Sequence, residues 1–413
     1  MKLSIRSVLF LGVGGISMYQ LALAFKNLGV KVYGYDAKLS KYTDICKQNG
    51  IEVTTKFNID SCSVDLCVVT GAIKKSKYLT ILKKRGVRIS DRAEVLGWFC
   101  KQFKQVIAVA GTHGKSTTAS LIYEILRVAG KKVSCHIGSD VFAPRFDLTD
   151  EFLVVEACEY NKSFLSIYPN IAVVTNIEPE HMDCYNSLFN LRTAFLSFIK
   201  RAEKRFVFKC SSTAFVKKIK NVEFVDNCNL KLNPKIKGEY NLNNIALAVK
   251  VTQDLGIDNS IICKAVNSFN GVPRRYEHIG NFNTTKIYID YAHHPTEIDA
   301  FIKTFRKEYK NSLIIFQPHT YSRTKTFKKE FVNIFSSLNN LIIYKEYAAR
   351  EKTECGITAK ELYYLVKEKN ENVLYSSNIK KFIDKLSSFD AVAFVGAGDI
   401  NKVAESVIDF KKK

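Results

Sequence analysis

The sequence predicts an α/β protein of two or three domains, on three observations. Short apolar runs rich in β-branched residues recur along the chain, as buried parallel strands require. Each run breaks at a glycine or polar turn that opens a helix-period pattern, the alternation of a parallel sheet with crossover helices. The third is length: 413 residues exceed what one hydrophobic core organises.

In chain order, residues 8–11 read as a strand, followed by Gly12-Val13-Gly14-Gly15 and a helix through Ile16, Tyr19, Leu23 and Phe25 that stops at Gly29. Residues 31–35 form a second strand, ending in Asp36. A strand, a glycine turn, a helix and a strand ending in an acid resemble the dinucleotide-binding unit, with the third glycine at 15 instead of three residues on. Either this is an anion site at a helix start, for a dinucleotide or a nucleotide-sugar, or it is an ordinary packing turn. Strands at 66–69 and 87–89 continue the pattern, and a helix over 93–103 closes a first domain, 1–103.

A second domain, 104–272, opens on the strand Val106 to Ala110. Gly111-Thr112-His113-Gly114-Lys115-Ser116-Thr117 follows, then a helix through Leu121, Ile122, Ile125 and Leu126 ending at Gly130. A glycine-rich turn between strand and helix aims backbone N–H groups at one spot, at the positive end of a helix dipole. Lys115 adds a full charge for the outer phosphates, and the Ser116 hydroxyl can ligate Mg²⁺. The spacing Gly-x-x-Gly-Lys-Ser is two residues shorter between glycines than the general NTPase loop. A nucleoside triphosphate site is expected here.

Strands at 133–137, 152–156 and 171–175 come next. The last two end in polar clusters, Glu156-Ala157-Cys158-Glu159-Tyr160-Asn161 and Asn176-Ile177-Glu178-Pro179-Glu180-His181-Met182-Asp183. Ligands bind at the carboxyl ends of parallel strands, so acids and a histidine beside a phosphate loop point to Mg²⁺ ligation. The alternative for each is a helix cap or turn. Gly238-Glu239-Tyr240-Asn241-Leu242-Asn243-Asn244 opens a helix whose asparagines either cap it or read an adenine edge.

Gly271-Val272-Pro273-Arg274-Arg275 reads as a linker to a third domain, 273–413. Its predicted elements are strands at 286–290, 313–316, 341–344 and 391–395, and helices from Pro295 and over 326–338. Strand-end clusters recur as Asp290-Tyr291-Ala292-His293-His294-Pro295 and Gln317-Pro318-His319-Thr320-Tyr321-Ser322-Arg323.

The formal charge of +22 invites a nucleic-acid reading, because lysine and arginine supply most nonspecific phosphate affinity. The lysines are dispersed, however, and the denser runs (Lys74-Lys75-Ser76-Lys77, Lys217-Lys218, the Lys411–Lys413 tail) accompany no nucleic-acid motif. A lysine-rich solvated surface, biased toward small anionic substrates, is the expectation, with no nucleic-acid partner. Eleven cysteines without a Cys-x-x-Cys pair predict free thiols in a reducing cytoplasm. The apolar run near the N-terminus is broken by Gly12, Gly14 and Gly15, and no run is long enough to span a membrane.

Together these motifs resemble the Mur ligases of peptidoglycan synthesis, and within them the alanine-adding members. The resemblance rests on Gly12 to Met18, Gly111 to Thr118, Glu156 to Glu159, Thr175 to Asp183, Tyr240 to Asn244, Pro273-Arg274-Arg275, Asp290 to Glu297, Phe316 to Arg323 and Gly396-Ala397-Gly398. They stand in family order over nearly the whole chain. The resemblance implies three domains: a Rossmann-like UDP-sugar domain, a central P-loop ATPase domain with a mostly parallel sheet, and a mobile Rossmann-like C-terminal domain. It implies that ATP phosphorylates the carboxylate of UDP-N-acetylmuramate and that the amine of L-alanine attacks the acyl phosphate, in a monomer or homodimer. A carboxylate is a poor electrophile until its oxygen becomes a leaving group, and positive charge must stabilise the phosphoryl group in transit.

By motif position, the resemblance puts Gly111, Thr112, His113, Gly114, Lys115, Ser116 and Thr117 on the ATP phosphates. Ser116 and Glu156 would hold one Mg²⁺ and His181 a second. It assigns Asn241 and Asn244 to adenine, and Arg275, Asp290 and His293 to the nucleotide from the C-terminal side. His319 and Arg323 fall to the amino acid or acyl phosphate, and Gly12, Gly14, Gly15 and Asp36 to the UDP moiety. Two departures stand out. Val69-Thr70-Gly71-Ala72-Ile73 replaces a usual pair of serines. The lysine that some members carbamylate, on the helix after His181-Met182-Asp183, is replaced at or within one residue of Phe195.

Overall fold

The protein is described by a computed structural model covering residues 5–56, 64–73, 77–349 and 351–410. The basic runs at 74–76 and 411–413 lie outside the described residues. The strands among the described residues form three sheets. In the first, β1 (Ser7–Leu11), β2 (Lys31–Tyr35), β3 (Glu52–Thr54), β4 (Leu66–Val69) and β5 (Arg88–Asp91) run parallel in the order β3-β2-β1-β4-β5. Strand order reverses between β1 and β4, which leaves a crevice at their carboxyl ends.

The second sheet is also parallel: β6 (Gln105–Ala110), β7 (Val133–His136), β8 (Phe152–Glu156), β9 (Ile171–Val174), β10 (Lys204–Phe208) and β11 (Glu223–Val225), in the order β11-β10-β9-β6-β8-β7. Its central strand β6 is apolar and buried because sheet and helices cover both faces. The third contains β12 (Glu277–Phe282), β13 (Thr285–Asp290), β14 (Ser312–Phe316), β15 (Leu341–Tyr344), β16 (Val373–Ser376) and β17 (Ala391–Val395), in the order β12-β13-β17-β14-β15-β16. Among the described residues, only its β12–β13 pair is antiparallel.

The chain divides into two compact units, one built from residues up to Pro234 plus Leu242–Phe269, the other from Lys235–Asn241 plus the chain from Asn270 onward. The first unit holds two sheets because one apolar core runs through both. Phe25 stacks on Trp98 and meets Phe99 edge-on at 5.1 Å, and Phe99 meets Phe146, beyond β7, at 5.2 Å. Such pairs add to area burial and fix one docking geometry. In the second unit, Phe301, Phe305, Phe316, Phe331 and Phe335 fill the space between sheet and helices.

The structure departs from the sequence reading at sheet margins. β3, β10, β11, β12 and β16 went unread, and all but β10 are edge strands. Short edge strands carrying Glu52 or Glu223 lack an apolar run because edges face water, while in β10 the charged Lys204 and Arg205 leave an apolar stretch of only three residues, Phe206 to Phe208. The helix predicted over 326–338 is two, Tyr321–Thr326 and Lys328–Phe335, broken at Phe327. That ring packs edge-on against His294 at 4.6 Å, which fixes the break. The helix expected over 93–103 is Arg92–Cys100, set by Asp91, whose carboxylate accepts the Ala93 N–H while Glu94 reaches back to the Asp91 N–H.

Candidate active site

The loop after β6 carries the densest chemistry. Gly111 and Gly114 both have positive φ, at +142° and +82°, and a side chain at either would strike Thr175 Oγ1 or Asn244 Oδ1. Only glycine fits both the conformation and the close approach. The Thr112 N–H donates to the Asn176 carbonyl and the His113 N–H to Asn176 Oδ1, at 3.0 and 2.9 Å. Those two N–H groups therefore brace the loop instead of lining the anion cradle expected of them. Thr117 is buried in the helix Lys115–Val128 behind the loop.

Lys115 folds back over this loop, its ammonium donating to the carbonyls of Gly111 and Thr112 at 2.6 and 3.0 Å. Its charge partner is Glu159, 3.0 Å away and 2% exposed. Burial pulls the ammonium pKa down, but Glu159, with Cys158 and Glu156, outweighs it and leaves the value above that of an ordinary lysine. Lys115 is thus held charged.

The Ser116 hydroxyl donates to Glu156 Oε2 at 2.8 Å, and the Gly138 N–H reaches the same oxygen at 2.9 Å. A hydroxyl and a carboxylate side by side are the hard oxygen donors Mg²⁺ takes, so the pair suits that ion. His181 sits at φ 57°, ψ 39°, with Nε2 at 3.7 Å from Glu159 Oε1. Lys115 and His181 therefore converge on Glu159. Asn244 lies over Gly114 and accepts the Thr118 hydroxyl at 3.2 Å.

At the first sheet, the Gly12 N–H donates to the Tyr35 carbonyl, the Gly15 N–H to the Gly12 carbonyl, and the Gly14 N–H to Asp36 Oδ2 at 2.9 Å. The other Asp36 oxygen takes the Lys38 N–H at 3.2 Å. Asp36 thus closes the glycine turn.

The second unit gathers its own cluster where β13, β14 and β17 end. Asp290 accepts the N–H groups of Tyr276 and Ala292, both at 2.7 Å. Burial raises its carboxyl to about 6 even though Arg275 and those N–H groups pull it down. Arg275 bridges to Glu297 at 3.2 Å, and Glu297 also takes the His293 N–H. Arg323 donates to His319 Nδ1 at 3.0 Å, so His319 carries its proton on Nε2, and its ring stacks on Tyr347. The His293 and His319 rings lie 5.9 Å apart. Asn241, also in this unit, donates to the Lys237 carbonyl at 2.7 Å.

Four organising residues had no assigned role in the sequence: Glu159, Asn176, Glu297 and Gln317. Gln317 is fully buried and bonds to Asp399 and the Ile400 N–H. Each lies within a few residues of a glycine turn, strand end or helix start already singled out, which was the available signal.

Family profiles match along the chain. The Mur ligase family catalytic domain covers residues 7–104, the Mur ligase middle domain 109–223, and the Mur ligase glutamate ligase domain 274–398. A UDP-N-acetylmuramate–L-alanine ligase of Caldicellulosiruptor bescii is 35% identical, with 97% of each chain covered. One of that name from Flavobacterium psychrophilum is 34% identical over 99% of this chain and 98% of its own. In solved structures, the fold is similar to UDP-N-acetylmuramate–alanine ligase of Thermotoga maritima, with a TM-score of 0.82 and 22% identity over 99% of both chains. It is also similar to a murein peptide ligase of Psychrobacter arcticus, with a TM-score of 0.69 and 21% identity over 98% of both. With the phosphate loop, its charged lysine and the strand-end clusters in place, these matches show that the chain belongs to the Mur ligase family.

Proposed function

We propose that this chain is an ATP-dependent ligase that joins L-alanine to the carboxylate of UDP-N-acetylmuramate through an acyl phosphate, in peptidoglycan precursor synthesis. The observation that carries the chemistry is Lys115, held charged by Glu159 next to the Ser116–Glu156 pair. Relatives of that name, matching 97% of the chain or more, support the substrate pair. Domains at 1–103, 104–272 and 273–413 are part of the reading, as are a cytoplasmic location and a monomer or homodimer.

ATP binding displaces the Lys115 ammonium from its own loop carbonyls onto the β/γ-phosphates, while Glu159 keeps it protonated. Ser116 and Glu156 would hold Mg²⁺, and His181 a second ion, whose chemistry is to neutralise charge on the transferring phosphoryl group. Asn244, over the loop, and Asn241 serve the adenine. Arg275, Asp290 and His293 serve the nucleotide from the C-terminal side. Arg323 fixes the His319 tautomer and presents charge to the amino acid or acyl phosphate. Gly12, Gly14 and Gly15 offer the UDP diphosphate a helix start, with Asp36 bracing the turn.

Phosphate release with ATP, UDP-N-acetylmuramate and a panel of amino acids tests this. L-Alanine is expected to support the highest kcat/KM. Release only with an L-alanyl tripeptide would assign the chain to the peptide-recycling chemistry instead.

A further inference from the structure

Helix Ile16–Asn27 starts at the glycine turn after β1, and Ser17 lies in its first turn. Among the described residues, two side chains lie within hydrogen-bond distance of the Ser17 hydroxyl. Arg92, at the start of the helix after β5, donates to Ser17 Oγ from Nη1 at 3.0 Å. His136, the last residue of β7 in the central sheet, places Nε2 at 2.8 Å. Gln20, one turn on, donates to the Ile137 carbonyl at 2.9 Å, so the helix start is pinned to the end of β7.

His136 is 3% exposed, and among the described residues its buried Nδ1 has no hydrogen-bond partner. Burial, with Arg92 adding, holds its pKa near 3, so the ring is neutral and one nitrogen carries the proton. If Nδ1 carried it, a buried N–H would be orphaned. With the proton on Nε2, the orphan is a lone pair, the less costly arrangement. Ser17 Oγ then accepts two hydrogen bonds, from Arg92 and from His136. Its own proton is then left for a third partner, and Ser17 stands in the first helical turn after the glycine turn, at the carboxyl end of β1 where such sheets bind ligands.

We infer that Ser17 is a hydrogen-bond donor to the diphosphate of the nucleotide-sugar, and that His136 of the central sheet is a positioning residue that aims it. The inference rests on the proposed substrate. Its consequence is that the first sheet does not complete the diphosphate site by itself. Arg92 holds Ser17 from within the sheet's own layer and adds positive charge. His136 supplies the second donor from the neighbouring sheet, so loss of either donor lets the hydroxyl turn away from the ligand.

The test uses the full chain and UDP-N-acetylmuramate, with uridine and ATP as control ligands. Ser17→Ala and His136→Phe are each expected to raise the UDP-N-acetylmuramate KM and Kd about tenfold with kcat little changed. The double variant is expected to lose no more than either single one. Uridine and ATP affinities stay at parent values, and Ser17→Thr, which keeps the hydroxyl, restores UDP-N-acetylmuramate binding. In the parent, ¹⁵N resonances put the His136 proton on Nε2. Unchanged affinity in Ser17→Ala, additive losses in the double variant, or a proton on Nδ1 each overturn the inference. Should His136→Phe fail to fold, the Ser17 variants and the tautomer still decide it. A parent that turns over UDP-N-acetylmuramate while Ser17→Ala keeps its KM sinks this inference alone. A parent inactive with that substrate sinks the functional reading itself.

Discussion

Lys115 and Glu159 depend on each other. Glu159 is 2% exposed, so Lys115→Ala strands a buried carboxylate as well as removing charge from the phosphates. Turnover is expected to fall by ~10²-fold or more, and stability by about 3 kcal/mol. Adding Glu159→Gln should return most of the stability and none of the activity, as denaturant unfolding and phosphate release would show. His181 calls for a different control. Its left-handed backbone is one that asparagine adopts more readily than alanine. His181→Asn should raise the Mg²⁺ requirement with little change in ATP affinity, and Mn²⁺ should rescue it in part. Superimposable Mg²⁺ titrations would make it only a turn residue. Asp290 sets a pH dependence. Its folded pKa of about 6 lies above the ordinary 3.8, so the folded chain holds the proton more tightly than the unfolded one. Its contribution is most favourable below pH ~4 and is lost as pH rises through 6. Between pH 5 and 7 the parent should therefore lose stability relative to Asp290→Asn. A constant difference would refute it.

Helix Leu188–Lys200 shows how an element decides chemistry by what it lacks. Phe195 is fully buried and packs edge-on against Phe164 at 5.1 Å. On the motif alignment that puts Phe195 at or within one residue of the lysine some family members carbamylate, we propose that no carbamate forms on this helix. Arg192 keeps its charge at all working pH and cannot carry a carbamate. Lys200 is exposed at the far end, about 140° around from Phe195 at ~3.6 residues per turn. Turnover should be independent of bicarbonate at fixed pH and ionic strength. Stimulation that Lys200→Ala abolishes would count against this register. The helix itself was legible only in part, because its apolar stripe reads the same whether it faces a core or a metal site.

Across the whole molecule, the charge of +22 accompanies no nucleic-acid motif. Binding to a DNA duplex should be weak, should vanish between 50 and 200 mM salt by fluorescence anisotropy, and should leave phosphate release unchanged. DNA-stimulated hydrolysis would contradict the ligase reading. Among the described residues, no helix is long and apolar enough to cross a membrane. Each compact unit has an apolar core of its own, and Asn241 belongs to one unit while Asn244 belongs to the other.

The sequence by itself determined the α/β class, every inner strand but β10, and the phosphate loop. These are local: an apolar run, a glycine turn and a helix period are written in consecutive residues, and only glycine meets the conformations at 111 and 114. Four of the edge strands, β3, β11, β12 and β16, were not legible, since their residues are chosen largely for solvent. Tertiary structure alone decided the partners. Nothing near Lys115 in sequence names Glu159, 44 residues on, as its counter-charge. Likewise nothing near Ser17 names His136, 119 residues away. Pairing across a sheet depends on strand order, and strand order is a property of the packed core that no single segment carries.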